Sequence, residues 1–353
     1  MSTTPNVPYT LTRMGVIMTP EPGNELEAEG VLNPATGRVG DELYLLPRLV
    51  ARGNVSRVGL GRLVIENGVP VGVEREGIVL EPDRGWERGE NNAGVEDPRV
   101  TFVPRLGLHV MTYVAYGPLG PRTALAVSED LRAWRRLGPA LFAYDDALDA
   151  DLNLFHNKDT VFFPEPVTAP DGVESFAVLH RPMWDLGEIR PSEGIRVPAG
   201  ITDTRQSIWI AFVPVADVEK DLANLVHWRG SRLLAGPEFP FEEVKIGGGP
   251  APLRVPEGWL LLHHGVTGVL ARGTDQQQKV NYAAGAMLLD AQEPWRVLAR
   301  TPEPLLAPET EEERSGIVPN VVFPTAIEEI EGAHYVFYGM ADSKIGVARL
   351  DHT

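Results

Sequence analysis

Short apolar segments recur along the chain, and each is followed by a second segment rich in small residues. The first segment of each pair ends in a polar residue or a glycine, as 258–265 and 333–339 do. Apolar runs this short, bounded by turn residues, are typical of strands, and they predict strand pairs at intervals of roughly 65 to 85 residues. The five pairs are 42–48 with 56–63, 109–117 with 122–131, 175–182 with 206–212, 258–265 with 282–290, and 333–339 with 344–350.

Repeating units of this kind cannot bury their apolar faces alone, so they pack against one another. Four-stranded units at this spacing, with almost no amphipathic helical pattern, predict an all-β fold, a five-bladed β-propeller. We expect residues 31–353 to form one propeller domain that holds the functional site, and residues 1–30 to form an N-terminal arm or irregular lead-in. The insertion from about 183 to 204 is predicted to lie over the pocket rim or in an interface.

The composition restricts the partners. The chain of 353 residues has a formal net charge of -17 and no cysteine. The negative charge disfavours nucleic acid and anionic membranes as partners, and the lack of cysteine excludes disulfides and thiolate chemistry. No signal peptide is evident, and no apolar run approaches the roughly 18 residues of a membrane helix. A cytoplasmic location is expected, and the sequence leaves the oligomeric state open, with a homo-oligomer as one option.

The segment Gly94-Val95-Glu96-Asp97-Pro98-Arg99 brings two carboxylates and a cation to the start of a strand. Loops at strand ends are where sheet proteins tend to keep their chemistry. The proline is expected to hold Asp97 in extended geometry. Glu96 and Asp97 should then point to opposite sides, because successive side chains alternate along a strand. A charged surface turn is the alternative interpretation of this segment.

Basic residues recur at the ends of the predicted strands. A single arginine at a strand end is usually a solvated rim residue, but several that converge would bind an anion, since guanidinium and ammonium groups match phosphate and carboxylate oxygens. Lysine is scarce, with five in the chain, so Lys158 within Asn157-Lys158-Asp159 is noticeable. The polar residues at strand ends are Arg48, Arg57, Asp97, Arg122, Lys158, His180, Arg181, His263, His264 and Asp342.

The sequence predicts no metal site. His263 and His264 are adjacent on a predicted strand and should face opposite sides, which argues against a shared ion. No histidine pair or acidic cluster has the spacing of metal ligands. A Gly-x-Ser-x-Gly motif is also absent, which weighs against a serine hydrolase.

A series of short motifs, in this order, resembles glycoside hydrolase family 130, the β-mannoside phosphorylases and related β-mannosidases. The resemblance extends from about residue 33 to residue 350. The motifs are GVEDPR at 94–99, NKD at 157–159, FPE at 163–165, LHRP at 179–182, KIGGGPAP at 245–252, GWLL at 258–261, HGV at 264–266, VPNVVFP at 318–324 and YGMAD at 338–342.

The resemblance implies a five-bladed propeller and an inverting displacement at the anomeric carbon of a β-mannoside. Inorganic phosphate attacks as co-substrate, and the products are mannose 1-phosphate and a shortened acceptor sugar. Asp97 matches the family's general acid, which acts through a substrate hydroxyl. Asn33, Arg48 and Asp342 would hold the mannose, with Glu96 beside them. The phosphate ligands implied are Arg57, Arg122, Lys158, His180, Arg181 and His263.

One residue departs from the family pattern, because many members have tyrosine where this chain has His263. Histidine can still donate a hydrogen bond, but the change weakens the case for phosphorolysis. An inverting β-mannosidase is therefore an alternative. It requires a second carboxylate about 6.5–9.5 Å from the acid to activate water, such as Glu165 or one from 309–313. A carbohydrate-binding propeller without catalysis is a further alternative, although Asp97 is present.

Overall fold

The computed structural model describes residues 6–188, 190, 192–271 and 277–353, and these residues form an all-β fold. The strands are β1 (Tyr9–Met18), β2 (Gly30–Val39), β3 (Glu42–Ala51), β4 (Val55–Glu66), β5 (Val69–Leu80), β6 (Ala93–Val103), β7 (Leu108–Gly117), β8 (Gly120–Ser128), β9 (Arg135–Pro139), β10 (Leu141–Phe142), β11 (His156–Phe162), β12 (Val167–Thr168), β13 (Glu174–Met183), β14 (Ile208–Pro214), β15 (His227–Ala235), β16 (Lys245–Gly248), β17 (Leu253–Val255), β18 (Gly258–Val269), β19 (Lys279–Leu289), β20 (Val297–Arg300), β21 (Val322–Ile330), β22 (Ala333–Met340) and β23 (Lys344–His352).

Helical segments are few and short. The helices are α1 (Val215–Lys220) and α2 (Glu311–Arg314), with single 3₁₀ turns at Glu25–Glu27, Leu152–Leu154, Leu186–Glu188, Leu222–Val226 and Pro240–Glu242. Within the described residues, no helix is long and apolar enough to cross a membrane.

Antiparallel pairing divides the strands into four-stranded units. The first is β2-β3-β4-β5 and the second β6-β7-β8-β9, and a short parallel pairing of β4 with β6 merges them into one sheet. The third unit is β11-β13-β14-β15 and the fourth β16-β18-β19-β20. The fifth is β21-β22-β23-β1. Each strand pair predicted from the sequence corresponds to the second and third strands of one unit.

The N-terminal segment differs from the expected irregular lead-in. Tyr9–Met18 forms β1, which pairs antiparallel with the last strand from Tyr9 opposite His352 to Met18 opposite Ile345. Its apolar residues do not alternate regularly, because bulges interrupt the pairing after Arg13 and after Val16. The strand is therefore defined by a partner more than 300 residues away, which no local pattern reveals.

The units pack against one another through buried apolar side chains, and the contacts close into a cycle. Each pair of neighbouring units contributes side chains to one shared buried cluster. The shared clusters contain Leu46 and Met111 for the first and second units, Val110 and Trp209 for the second and third, and Ile210 and Leu261 for the third and fourth. They contain Leu288 and Val336 for the fourth and fifth units, and Phe337 and Leu45 for the fifth and first. Every unit thus covers two neighbours, which is what buries both faces of each sheet.

Arg99, the last residue of the GVEDPR motif, links first strands of different units. Its side chain is fully buried, and Nη1 donates to the carbonyl oxygens of Gly248 and Gly249 at 2.9 and 2.7 Å. The guanidinium also lies over the ring of Phe323. The motif's cation is therefore a structural tie between the second, fourth and fifth units.

Candidate active site

A cavity of about 310 Å³ lies where the five units meet, and every unit contributes to its lining. It holds both carboxylates and basic groups. Seven of the residues predicted from the sequence line it, namely Asn33, Arg48, Glu96, Asp97, Lys158, Arg181 and Asp342. They come from first strands, from second strands, and, for Asp342, from the turn between β22 and β23.

Bulges in the first strands bring some of these side chains into the cavity. Asn33, Asp97 and Asp159 have φ angles of 41°, 46° and 54°. The pairing register shifts at each of them. Asn and Asp tolerate this left-handed conformation better than most residues. Because a bulge re-aims the side chains around it, the first strands present residues that a regular strand would turn away.

The predicted geometry of Glu96 and Asp97 is wrong. Asp97 has a positive φ despite the proline that follows it, and both carboxylates bind the same guanidinium. Arg48 Nη2 lies 2.9 Å from Glu96 Oε1, and Nη1 lies 3.0 Å from Asp97 Oδ1. The bulge between Glu96 and Arg99 cancels the alternation on which the prediction rested.

Hydrogen bonds to neighbouring side chains hold Arg48, and so hold the Glu96 and Asp97 carboxylates that it binds. Its Nε donates to Ser56 Oγ at 2.8 Å and its Nη2 to Asn54 Oδ1 at 3.0 Å. Asn33 Nδ2 donates to Asp97 Oδ1 at 2.8 Å. The guanidinium is held on several sides, so Asp97 is presented in one orientation.

Three carboxyl groups, those of Glu96, Asp97 and Asp342, lie near Arg48 in the cavity, and the pKa values of Asp97 and Asp342 are shifted in opposite directions. Burial acts to raise the pKa of Asp97, but the charges of Arg48 and Lys158 outweigh it and hold that pKa below its usual range. Burial raises the pKa of Asp342 to about 7, with Asp97 and Glu96 adding to the rise against Arg48. Near neutral pH Asp97 is therefore ionised, and Asp342 takes up a proton more readily than Asp97 does.

Basic groups form a second cluster, with Asp159 among them. Arg181 Nε donates to Asp159 Oδ2 at 2.5 Å, and His264 Nε2 lies 3.5 Å from the same oxygen. Burial and the charge of Arg181 lower the pKa of Lys245 to about 7. All of these residues and Lys158 line the cavity. Arg181 and Lys245 have one carboxylate, Asp159, beside them, and the Lys158 ammonium lies 3.5 Å from Glu96 Oε2. Cationic groups brought together in this way favour the binding of a further anion.

Sequence reasoning missed several members of this cluster. Lys245 and Tyr282 line the cavity, with the Lys245 ammonium 5.3 Å from the centre of the Tyr282 ring. Gln206 accepts from Arg181 Nη1. Lys245 had a usable signal, since it opens the KIGGGPAP motif in a chain with five lysines. Gln206 had none, because it lies beside an apparently ordinary strand segment, and Tyr282 was recognisable only as one of several aromatic residues that could stack on a sugar.

Four predicted phosphate ligands do not line the cavity. Two lie on third strands, and one of them, Arg57, is offset by one residue from the strand position that faces the cavity. Arg57 pairs with Leu49, whereas its neighbour Val58 pairs with the cavity residue Arg48. Its Nε lies 3.8 Å from Glu81. Arg122 is half-buried, and burial lowers its pKa.

The other two are the histidines His180 and His263, which precede the cavity residues Arg181 and His264. His180 Nδ1 bonds to Asn157 at 3.0 Å, and burial lowers the pKa of His180 to about 3, so it carries no charge at neutral pH. His263 Nε2 donates to the buried Glu242 at 2.7 Å. Alternation along the second strand turns both away from the cavity, and His263 and His264 face opposite sides as predicted.

The carboxylates proposed for a hydrolase lie outside the lining. Glu165 and residues 309–313 are absent from the described residues that line the cavity. Glu313 is buried and bound by Arg13 Nε at 2.8 Å and by the hydroxyl of Tyr338 at 3.0 Å. Among the described side chains no group of three or more His, Cys, Asp or Glu could hold a metal ion.

Comparison with known proteins gives the family. Residues 11–353 match the family model of glycoside hydrolase family 130, described as β-1,4-mannooligosaccharide phosphorylase. The chain belongs to this family, which confirms the resemblance seen in the sequence motifs.

Characterised relatives include two proteins of Thermoanaerobacter sp. (strain X514). A 1,2-β-oligomannan phosphorylase is 29% identical over 95% of this chain and 94% of its own. A β-1,2-mannobiose phosphorylase is 28% identical over 97% of this chain and 98% of its own. The solved structure of a Listeria innocua β-1,2-mannobiose phosphorylase in complex with β-1,2-mannobiose is 21% identical, with a TM-score of 0.71 over 97% of this chain and 96% of that one.

Proposed function

We propose that this protein is an inverting β-mannoside phosphorylase. The observation that carries the proposal is a cavity that holds a fixed carboxylate, Asp97, together with the basic cluster of Lys158, Arg181 and Lys245. An inverting hydrolase would need a second carboxylate to activate water. A phosphorylase needs cations instead, because phosphate is already an anionic nucleophile.

In the proposed reaction the carboxyl groups around Arg48 and the basic cluster have different functions. A phosphate oxygen attacks the anomeric carbon of the terminal mannosyl residue, and the glycosidic bond to the acceptor oxygen breaks. Asp97 supplies a proton to that oxygen through a sugar hydroxyl. Asn33, Arg48 and Asp342, with Glu96, hold the mannosyl residue. The products are α-mannose 1-phosphate and the shortened acceptor.

Phosphate binding would also protonate the acid. Asp97 is ionised because Arg48 and Lys158 lower its pKa. A phosphate dianion beside Lys158 would offset that cation, and the pKa of Asp97 would then rise. A proton shared with Asp342, whose pKa burial raises to about 7, would then become available to Asp97.

The same proposal includes the architecture. We infer that the five units within residues 31–353 are the blades of a five-bladed propeller, and that β1, from the N-terminal segment that precedes this range, completes the last blade. The cyclic packing of the units and a cavity lined from all of them support this arrangement. The predicted cytoplasmic location and a homo-oligomeric state remain predictions.

The relatives that cover nearly the whole chain act on β-1,2-linked mannosides. A β-1,4-mannooligosaccharide phosphorylase of Ruminococcus albus is 35% identical but covers 35% of this chain. We therefore propose β-1,2-linked mannosides as the substrates.

The test is to incubate the protein with β-1,2-mannobiose and with β-1,4-mannobiose, each with and without phosphate, and to identify the sugars released. Mannose 1-phosphate formed from the β-1,2 substrate, and only when phosphate is present, is the expected result. Free mannose at equal rates with and without phosphate would show a hydrolase. Faster release of mannose 1-phosphate from the β-1,4 substrate would refute the proposed β-1,2 linkage but would still support phosphorolysis.

A further inference from the structure

The basic cluster contains a buried carboxylate where an anion is to bind, and this inference rests on the proposed phosphorolysis. Asp159 is 5% exposed and lines the cavity beside Arg181, Lys245 and His264. A Cβ on Gly247 would lie 2.0 Å from Asp159 Oδ2, so the glycine is what allows the carboxylate this position. A carboxylate in an anion site repels the ligand unless it has a specific use.

Asp159 is held as an acceptor. Its Oδ2 receives Arg181 Nε at 2.5 Å, and its Oδ1 lies 3.7 Å from Arg99 Nη2, which is beyond hydrogen-bond distance. Burial acts to raise the pKa of Asp159, but the charges of Arg181 and Arg99 outweigh it and hold that pKa well below its usual range. An ionised carboxylate can only accept hydrogen bonds. A ligand placed against it must therefore bring a proton.

The side chain next to Asp159, that of His264, lacks hydrogen-bond partners. Among the described residues, neither ring nitrogen of the fully buried His264 has a hydrogen-bond partner. Burial lowers the pKa of His264 well below its usual range, so the ring is neutral and can accept as well as donate. A buried polar group without a partner is costly, and a bound oxyanion with one protonated oxygen would satisfy both side chains.

We propose that Asp159 makes this site selective for hydrogen phosphate by accepting the hydrogen bond of its P–OH group, so that oxyanions without a proton are rejected. Hydrogen phosphate keeps one proton at neutral pH, whereas sulfate keeps none. The P–OH on Asp159 leaves three unprotonated oxygens, which are available to Lys158, Arg181 and Lys245 and for attack on the sugar. Asp159 thus sets both the identity and the orientation of the nucleophile.

Calorimetric titration of the full-length protein without sugar tests this selectivity. The ligands are inorganic phosphate, sulfate and monofluorophosphate, a dianion of similar shape in which fluorine replaces the hydroxyl. Sulfate and monofluorophosphate are expected to bind about 10- to 100-fold more weakly than phosphate, the effect of a lost hydrogen bond to a charged group. Equal affinities for the three anions would overturn the proposal, whatever the mutants do.

Substitution of the carboxylate locates the effect. In Asp159→Asn the amide can donate to an unprotonated oxygen, and the preference for phosphate over sulfate is expected to shrink to less than about threefold. Asp185→Asn is the matched control, since it removes a cavity carboxylate outside the cluster. Its preference should stay that of the natural protein. A preference that survives in Asp159→Asn, or that is lost in Asp185→Asn, would contradict the assignment.

Because these titrations use no sugar, they separate the inference from the proposed activity. A protein that discriminates among the three anions but forms no mannose 1-phosphate would keep the anion site and refute phosphorolysis. Phosphorolysis with no discrimination would keep the activity and refute the role of Asp159.

Discussion

At the scale of single residues, the orientation of Asp97 is the central feature. Its left-handed backbone and its contacts with Arg48 and Asn33 present one carboxyl group to the cavity. Asparagine tolerates the same backbone conformation, so the acid can be removed with little disturbance of the strand.

Asp97→Asn is expected to lower turnover by about 10²- to 10⁴-fold, the usual contribution of a general acid. Binding of β-1,2-mannobiose should persist, because the residues that hold the sugar are unchanged. Steady-state kinetics measures the first effect and calorimetry the second. Turnover equal to that of the natural protein would remove Asp97 from the mechanism.

Lys245 gives the site a pH dependence. Its pKa is lowered to about 7 by burial and by Arg181. Lysine is charged below its pKa, so anion binding is favoured at lower pH and weakens as the pH rises through about 7. We expect the KM for phosphate to rise between pH 6 and pH 8.5, and the Lys245→Met variant to have a high KM with a flatter profile.

Two other variants are needed to interpret that profile. Lys220→Met removes an exposed lysine that pairs with Asp217, and it should reproduce the natural profile, including the ionisation of phosphate itself. Asp342→Asn removes the other group that titrates near pH 7. If the rise in KM disappears in Asp342→Asn and persists in Lys245→Met, Asp342 and not Lys245 is responsible.

The sequence could identify the types of residue in the site, but not which of two adjacent residues on a strand faces the cavity. Arg181 and His180 both follow an apolar run, and only the pairing register tells which one faces the cavity. The same one-residue shift separates His264 from His263. The bulge at Asp97 breaks this alternation, since the adjacent residues Glu96 and Asp97 both point to the same side. Register is set by partners far along the chain, which is why local patterns did not determine it.

At the scale of elements, His263 belongs to a structural arrangement that recurs in three units. In each, a buried glutamate accepts from a second-strand side chain at 2.7 to 3.0 Å and from an arginine at 2.8 or 2.9 Å. The three sets are Tyr113 with Glu87 and Arg136, His263 with Glu242 and Arg300, and Tyr338 with Glu313 and Arg13. Histidine in this chain therefore occupies a position that tyrosine fills elsewhere in the same molecule, and the departure from the family pattern lies outside the cavity.

His263→Tyr is accordingly expected to fold and to keep its phosphate KM within about twofold, at a cost of about 1 kcal/mol for repacking. The residue opposite is Gly285, and Gly346 lies opposite Tyr338 in the same way. A glycine at that position leaves space for the ring. Denaturant unfolding and phosphate kinetics provide the two measurements.

His263→Ala is the contrasting variant. It removes a donor from the buried Glu242 and leaves a cavity, so a loss of about 2–4 kcal/mol is expected. A phosphate KM raised more than tenfold in His263→Tyr, with stability unchanged, would return His263 to the list of phosphate ligands.

At the scale of the whole molecule, β1 joins the two ends of the chain. Without it β23 would be an unpaired edge, and the buried Glu313 would lose Arg13. A chain that begins at residue 19 is expected to melt about 5–10 °C lower, since domains of about 150–250 residues lose roughly 2–4 °C per kcal/mol and a larger protein loses somewhat less. Thermal unfolding followed by circular dichroism measures the difference.

The Arg13→Ala variant distinguishes the contribution of the Arg13 ion pairs to stability from the contribution of β1 as a strand. It keeps β1 and removes the contacts with Glu309 and Glu313, so its melting temperature should lie between those of the natural and shortened chains. A shortened chain that melts with the natural protein would show that β1 contributes nothing to stability.

The pairing of β1 with β23 also sets an order of events during synthesis. β1 leaves the ribosome before the other described strands, and its partner β23 is made after all of them. Contacts between such distant segments form slowly, and an unpaired strand that waits is prone to pair with another chain. Arg13, in the middle of β1, places a charge on that strand throughout the delay. We therefore expect Arg13, which binds Glu313 in the folded protein, also to reduce pairing of the nascent strand with other chains.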